Sequence, residues 1–140
     1  MNIKNITILV AIIFVTGCGT TKLKITHDST PRGASLICDG QNMGYTPITL
    51  IYTVTEEQKK KETLHVSPCQ VKWISGVTAG GNSDLPVDLK KHGYSQILTY
   101  PRPSGDGYEK DSEFALQVEI LKAQQRQATA AEIHAISVLY

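Results

Sequence analysis

Between Thr30 and Pro47 the chain carries turn-forming residues so closely spaced that only short strands fit between them. Pro31 and Gly33 turn the backbone, Ala34 to Cys38 is a short apolar run, Asp39-Gly40 is a hairpin signal and Gly44 permits a second turn. Thr46-Pro47 then opens the alternating run Ile48 to Val54. A helix of ordinary length has no room here, so this stretch of the chain is committed to tight β-hairpins.

Elsewhere the β signal is alternation. Lys22 to Thr26 reads as an opening strand, with His27 to Ser29 leading out of it. Leu64 and Val66, then Val71 and Trp73 with Ile74 as a further candidate, and then Val87 and Leu89 mark further strands. The charge run Glu56 to Glu62 reads as a solvated turn, because Lys59-Lys60-Lys61 is flanked by glutamates, and Ala79-Gly80-Gly81-Asn82-Ser83 reads as a hinge in a hairpin.

A Pro-x-Gly-Ala opening, a strand, Asp-Gly and then Gly-x-Thr-Pro is a pattern that resembles PEGA-type β-domains, small sandwiches of surface and envelope proteins. The opening here is Pro31-Arg32-Gly33-Ala34, with arginine where the family usually has glutamate, and the closing segment is Gly44-Tyr45-Thr46-Pro47. Gly93-Tyr94, followed by Ser95 to Tyr100, matches the Gly-Tyr pair that begins a closing strand in that family, at a longer spacing than usual. The specific match covers residues 31–47. It implies an antiparallel β-sandwich, which we place at residues 22–108.

After the Pro- and Gly-rich stretch Pro101 to Tyr108 the composition changes. Asp111 or Ser112 can cap a helix with Phe114, Val118 and Leu121 on one face. Phe114 to Leu121 also fits a strand. Helix is preferred because the following residues are rich in Ala, Gln, Glu and Arg and free of Gly and Pro. Thr129-x-x-Glu132 resembles a new capping box, where the helix could break and resume. Ile133 to Tyr140 is apolar enough to dock on the sheet, as helix or as strand. The expected class is therefore α+β, mainly β: a small PEGA-like antiparallel β-sandwich with a C-terminal α-helix in residues 109–140.

At the other end, Lys4 precedes an uncharged stretch from Ile6 to Val15 and then Thr16-Gly17-Cys18, the n-, h- and c-regions of a secretory signal. The apolar stretch is about ten residues long, whereas a spanning helix takes roughly 20. Val15-Thr16-Gly17-Cys18 resembles the lipobox of bacterial lipoproteins. The resemblance implies diacylglycerol on the Cys18 thiol, cleavage between Gly17 and Cys18, loss of residues 1–17 and a lipidated tether at 18–21. Two or three acyl chains make a stable anchor. Gly19 follows where a sorting-avoidance signal would carry aspartate, which by resemblance to Gram-negative lipoproteins points to the outer membrane; its periplasmic face is the expectation, the cell surface the alternative.

If Cys18 is consumed by lipid, Cys38 and Cys69 remain in a chain exported to an oxidising compartment. A disulfide between them is expected, the alternative being two buried free thiols.

The chain has 14 Lys and Arg against 13 Asp and Glu, and loss of Lys4 makes it formally neutral. That composition offers no electrostatic case for nucleic acid or for wrapping an acidic membrane surface. His27, His65, His92 and His134 show no metal-ligand spacing, no nucleophile-elbow motif is present, and Gly80-Gly81 is not followed by Lys-Ser or Lys-Thr. The expectation is a non-enzymatic envelope lipoprotein without cofactor, acting as a structural or protein-interaction accessory through Ala123 to His134. The alternative is a peptidoglycan- or glycan-binding module using Tyr45, Tyr52, Tyr94, Tyr100, Tyr108 and Trp73, for which packing is the plainer role.

Overall fold

The computed structural model describes residues 21–61, 63–81 and 85–138. Gly17, Cys18 and the rest of the expected signal and tether up to Thr20 lie outside the described residues, as do Asn82-Ser83 of the expected hinge and Leu139-Tyr140. The elements in order are β1 (Thr21–Thr30), β2 (Ser35–Cys38), β3 (Gln41–Tyr45), β4 (Ile48–Val54), α1 (Glu56–Lys60), β5 (Thr63–Val66), β6 (Cys69–Lys72), β7 (Thr78–Gly80), β8 (Leu85–Asp88), α2 (Leu89–His92), β9 (Ser95–Pro101) and α3 (Tyr108–Val138).

The class is α+β, and the described residues build three small sheets in the orders β4-β1-β9, β3-β2-β6-β7 and β5-β8. Among the described residues all strand pairings but one are antiparallel. The exception departs from the expected antiparallel sandwich: β1 and β9 run parallel from Lys24 opposite Ser95 to Thr30 opposite Pro101. His27 to Ser29 accordingly continue β1 and do not leave it, because β9 supplies them with a partner strand.

The inner face of the β4-β1-β9 sheet covers two hydrophobic clusters side by side. Leu23, Ile25 and Val54 pack with Leu64, Val66, Val87 and Leu89 of the β5-β8 sheet and α2. Further along, Ile48, Leu50 and Tyr100 pack against Leu36, Val71, Trp73 and the two cysteines. The alternation in β1 follows from this arrangement: Leu23, Ile25, His27 and Ser29 are buried, while Lys22 and Lys24 point to solvent.

Local chemistry explains the turns. Asp39 and Gly40 both have positive φ, 49° and 75°, as a two-residue hairpin loop requires. Gly44 does not make a second turn. It sits inside β3 beside a bulge, where Leu36 faces Gly44 and Ile37 faces Asn42, so Met43 is the extra residue. The charge run is likewise not a bare turn: Thr55 and Gln58 form a reciprocal capping box that starts α1. Ala79 and Gly80 of the expected hinge are the last residues of β7, with Gly80 opposite Gln70.

α3 begins at Tyr108, ahead of the expected caps, and continues through Thr129 without a break. The Thr129 hydroxyl donates to the Gln125 carbonyl four residues back and starts no new helix. Its contact stripe runs through Asp111, Phe114, Ala115, Val118 and Lys122, which leaves Leu121 at the rim, 55% exposed.

Candidate functional site

The ends of the 31–47 segment meet. Gly33 N–H donates to the Thr46 carbonyl at 3.1 Å, and Thr46 N–H donates to the Ala34 carbonyl at 2.9 Å. The Pro31 carbonyl accepts from the Ser29 hydroxyl at 2.8 Å and from the Trp73 indole at 2.9 Å. Ser29 spends its one proton there, so the buried Thr46 hydroxyl donates to Ser29 Oγ at 2.5 Å. Two Thr-Pro turns and a core tryptophan thus form one satisfied buried network.

α3 is clamped over this junction. Gly33 has φ of 85°, and a Cβ there would lie 3.1 Å from the Ala115 backbone, so a glycine lets helix and turn touch. Tyr45 meets Phe114 edge to face with centroids 5.3 Å apart. The Lys122 ammonium donates to the carbonyls of Tyr45 and Pro47 at 2.6 and 2.7 Å. Burial lowers the Lys122 pKa; Asp28 and Glu119 oppose that shift, while Arg126 and Arg32 reinforce it.

A second clamp holds the start of α3. Asp111 accepts from Ser75 N–H at 2.8 Å, Ser75 Oγ at 2.7 Å and Arg102 Nε at 2.6 Å. Arg102 also donates to the carbonyls of Pro103, Gly105 and Asp106, so one guanidinium ties three points of the loop between β9 and α3. Burial by itself would raise the Asp111 pKa, but the hydrogen bonds from Ser75 and Arg102 outweigh it and hold the carboxyl below its ordinary value.

Two grooves flank Lys122. One, of about 620 Å³, runs between Arg32, Pro47, Leu116 and Ile120. The other, of about 640 Å³, lies between Tyr45, Pro47, Ile48 and the α3 residues Arg126, Ala130 and Ile133. Their lining is apolar side chains edged by guanidinium groups. Arg32 is tied to Asp28 at 3.2 Å and to Glu119 at 3.4 Å, exposed pairs that contribute little to stability.

Of the site residues expected from sequence, Cys38 and Cys69 are joined in a buried disulfide with S–S of 2.09 Å between directly opposed positions of β2 and β6. The aromatic residues do not gather in one place. Trp73 is in the core, Tyr52 and Tyr100 pack against its two clusters, and Tyr45, Tyr94 and Tyr108 are exposed at separate points. His27 is buried and shares a 3.0 Å hydrogen bond with the Tyr100 hydroxyl. Among the described residues no three His, Cys, Asp or Glu side chains are grouped to hold a metal ion, and no helix is long and apolar enough to cross a membrane.

Sequence reasoning missed Arg102, Ser75 and Lys122. A lone arginine in a Pro- and Gly-rich loop nine residues before a helical aspartate was the one available signal for the first of them. Comparison of the chain with protein-family models, curated proteins and solved structures finds no match.

Proposed function

We propose that this chain is a membrane-anchored envelope lipoprotein acting as a non-enzymatic structural or protein-interaction accessory. Its body is a PEGA-like β-domain, and lipid on Cys18 holds it to the periplasmic face of the outer membrane. The interaction half of this reading rests on one observation. α3 is clamped through Asp111, Phe114, Val118 and Lys122, yet every side chain from Gln124 to Ile133 is exposed. A helical extension without packing of its own draws no stability from tertiary contacts, which a covering partner supplies. The anchor half rests on Lys4, Ile6 to Val15 and the Val15-Thr16-Gly17-Cys18 box. Only Gly19 and Thr20 stand in sequence between Cys18 and β1.

A photo-crosslinking residue placed at Gln125 or Ala128 in living cells tests the partner surface. A discrete adduct is expected there and not with the same probe at Thr99 on the outer face of β9. Adducts at none of these positions, or equally at all three, sink the proposal. Metabolic palmitate labelling tests the anchor: the wild-type chain takes label and Cys18→Ser does not, and label persisting on the variant rules the lipobox out.

A further inference from the structure

The fold sorts the charges of a formally neutral chain. β1 starts at Thr21 opposite Val54, the last residue of β4, so α1 and Lys61 follow at the end of the sheet where β1 begins. β9 is parallel to β1 and starts at Ser95 opposite Lys24, with Lys24 N–H donating to the Tyr94 carbonyl, so α2 stands at that same end. Segments 22–24, 56–61 and 88–92 therefore converge. Counted with Glu62, the next residue in sequence, they hold seven of the chain's 14 Lys and Arg but only four of its 13 Asp and Glu. Two of those four are engaged: Glu56 pairs with Lys59, and Asp88 caps α2 by accepting from Lys91 N–H. Lys22, Lys24, Lys60, Lys61 and Lys91 are exposed. With Lys4 set aside, the remainder of the chain carries more acidic than basic residues.

We propose that this basic end is a docking surface for anionic lipid headgroups, which seats the body on the membrane with its opposite end outward. The inference rests on the Cys18 anchor for its orientation. Three peptide units separate Cys18 from Thr21, at most about 11 Å of chain, so lipid on Cys18 brings these lysines within roughly a Debye length of the headgroups. Clustered lysines beside a lipid anchor are attracted to such a surface, and the second attachment fixes orientation as well as residence. The sequence total hid this because it summed the two ends of the molecule.

The test uses the chain without residues 1–18, because both hydrophobic clusters and the disulfide draw on residues from Leu23 onward. It is floated with vesicles of phosphatidylcholine alone or mixed with phosphatidylglycerol. Binding to the anionic vesicles only is expected, falling as salt rises. Replacing Lys60, Lys61 and Lys91 with Gln lowers partitioning by roughly a hundredfold, while Lys72→Gln with Lys110→Gln, away from this end, leaves it unchanged. Equal binding to both vesicles, binding to neither, or an equal loss in the control variant overturns the proposal. So does competition by soluble glycerol phosphate at matched ionic strength, which would mark a site for free phosphate. Because Cys18 is absent from this experiment, its outcome is separate from the palmitate labelling that tests the anchor.

Discussion

The Asp111 carboxylate lies 2.6 Å from Arg102 Nε, and neither side chain reaches solvent, with 0% and 3% of their surfaces exposed. This pair joins the loop after β9 to α3, and the Ser75 turn completes it. Removing one partner strands the other charge in the interior, which typically costs about 3–5 kcal/mol. Asp111→Ala is expected to lower the free energy of unfolding by that amount in urea titrations. The double variant Arg102→Leu, Asp111→Leu is expected to lose less than Asp111→Ala alone.

Stability falls on the acid side in two stages. Burial lowers the His27 pKa, so the folded state favours neutral imidazole. Its contribution is complete above the unfolded value of about 6.5 and is lost as pH falls from there through the folded value. Asp111 is also lowered, so its contribution is complete above about 3.9 and disappears as pH falls through its folded value. Urea midpoints measured from neutral to strongly acidic pH are expected to show both limbs. His27→Leu flattens the first only, and Asp111→Asn the second only.

The disulfide ties residues 31 apart in sequence. Closing a loop of that length stabilises by about 3–4 kcal/mol in the chain-entropy model. Reduction, or Cys69→Ser, is expected to lower stability by that amount, read from chemical denaturation with and without reductant. A change in electrophoretic mobility on reduction, absent in Cys69→Ser, checks the bond itself.

Gly33→Ala attacks the contact between turn and helix. The substitution forces a positive φ on a side chain and presses a methyl group against the Ala115 backbone. A loss of about 1–3 kcal/mol is expected, together with faster amide hydrogen exchange in residues 111–122 than in β6. Protection unchanged in α3 would refute the clamp.

Truncation separates the clamped and free segments of α3. Ending the chain at Ala123 leaves Asp111, Val118 and Lys122 in place and is expected to change stability by less than about 1 kcal/mol. Ending it at Lys110 removes the carboxylate that Arg102 needs and is expected to unfold the body, as seen by far-ultraviolet circular dichroism.

Sequence reading succeeded where the chemistry was local or where only two cysteines were left to pair. Ile48–Val54 alternates and is β4, Asp39-Gly40 is a hairpin loop, and Cys38 and Cys69 are bonded. It failed where a distant partner decides. Nothing near His27 announces that β9, some seventy residues on, extends β1 to Thr30. Asp111 looked like a helix cap because carboxylates favour that position, yet its partners are Arg102 in a loop and Ser75 in a turn. Nothing around Lys122 in the sequence announces its role, because the two turn carbonyls that it binds are brought together only by the fold. The grooves beside it belong to the same class of feature, created by the approach of two elements and written in neither.

The parallel pairing of β1 with β9 has a mechanical consequence. β1 lies between two neighbours, and a tension applied at Thr21 and at the start of α3 pulls adjacent parallel strands in opposite directions along their length. Hydrogen bonds loaded that way must slip as a set, whereas strands peeled from an end break their bonds singly, in succession. The domain is thus strung to resist traction between its first strand and its terminal helix.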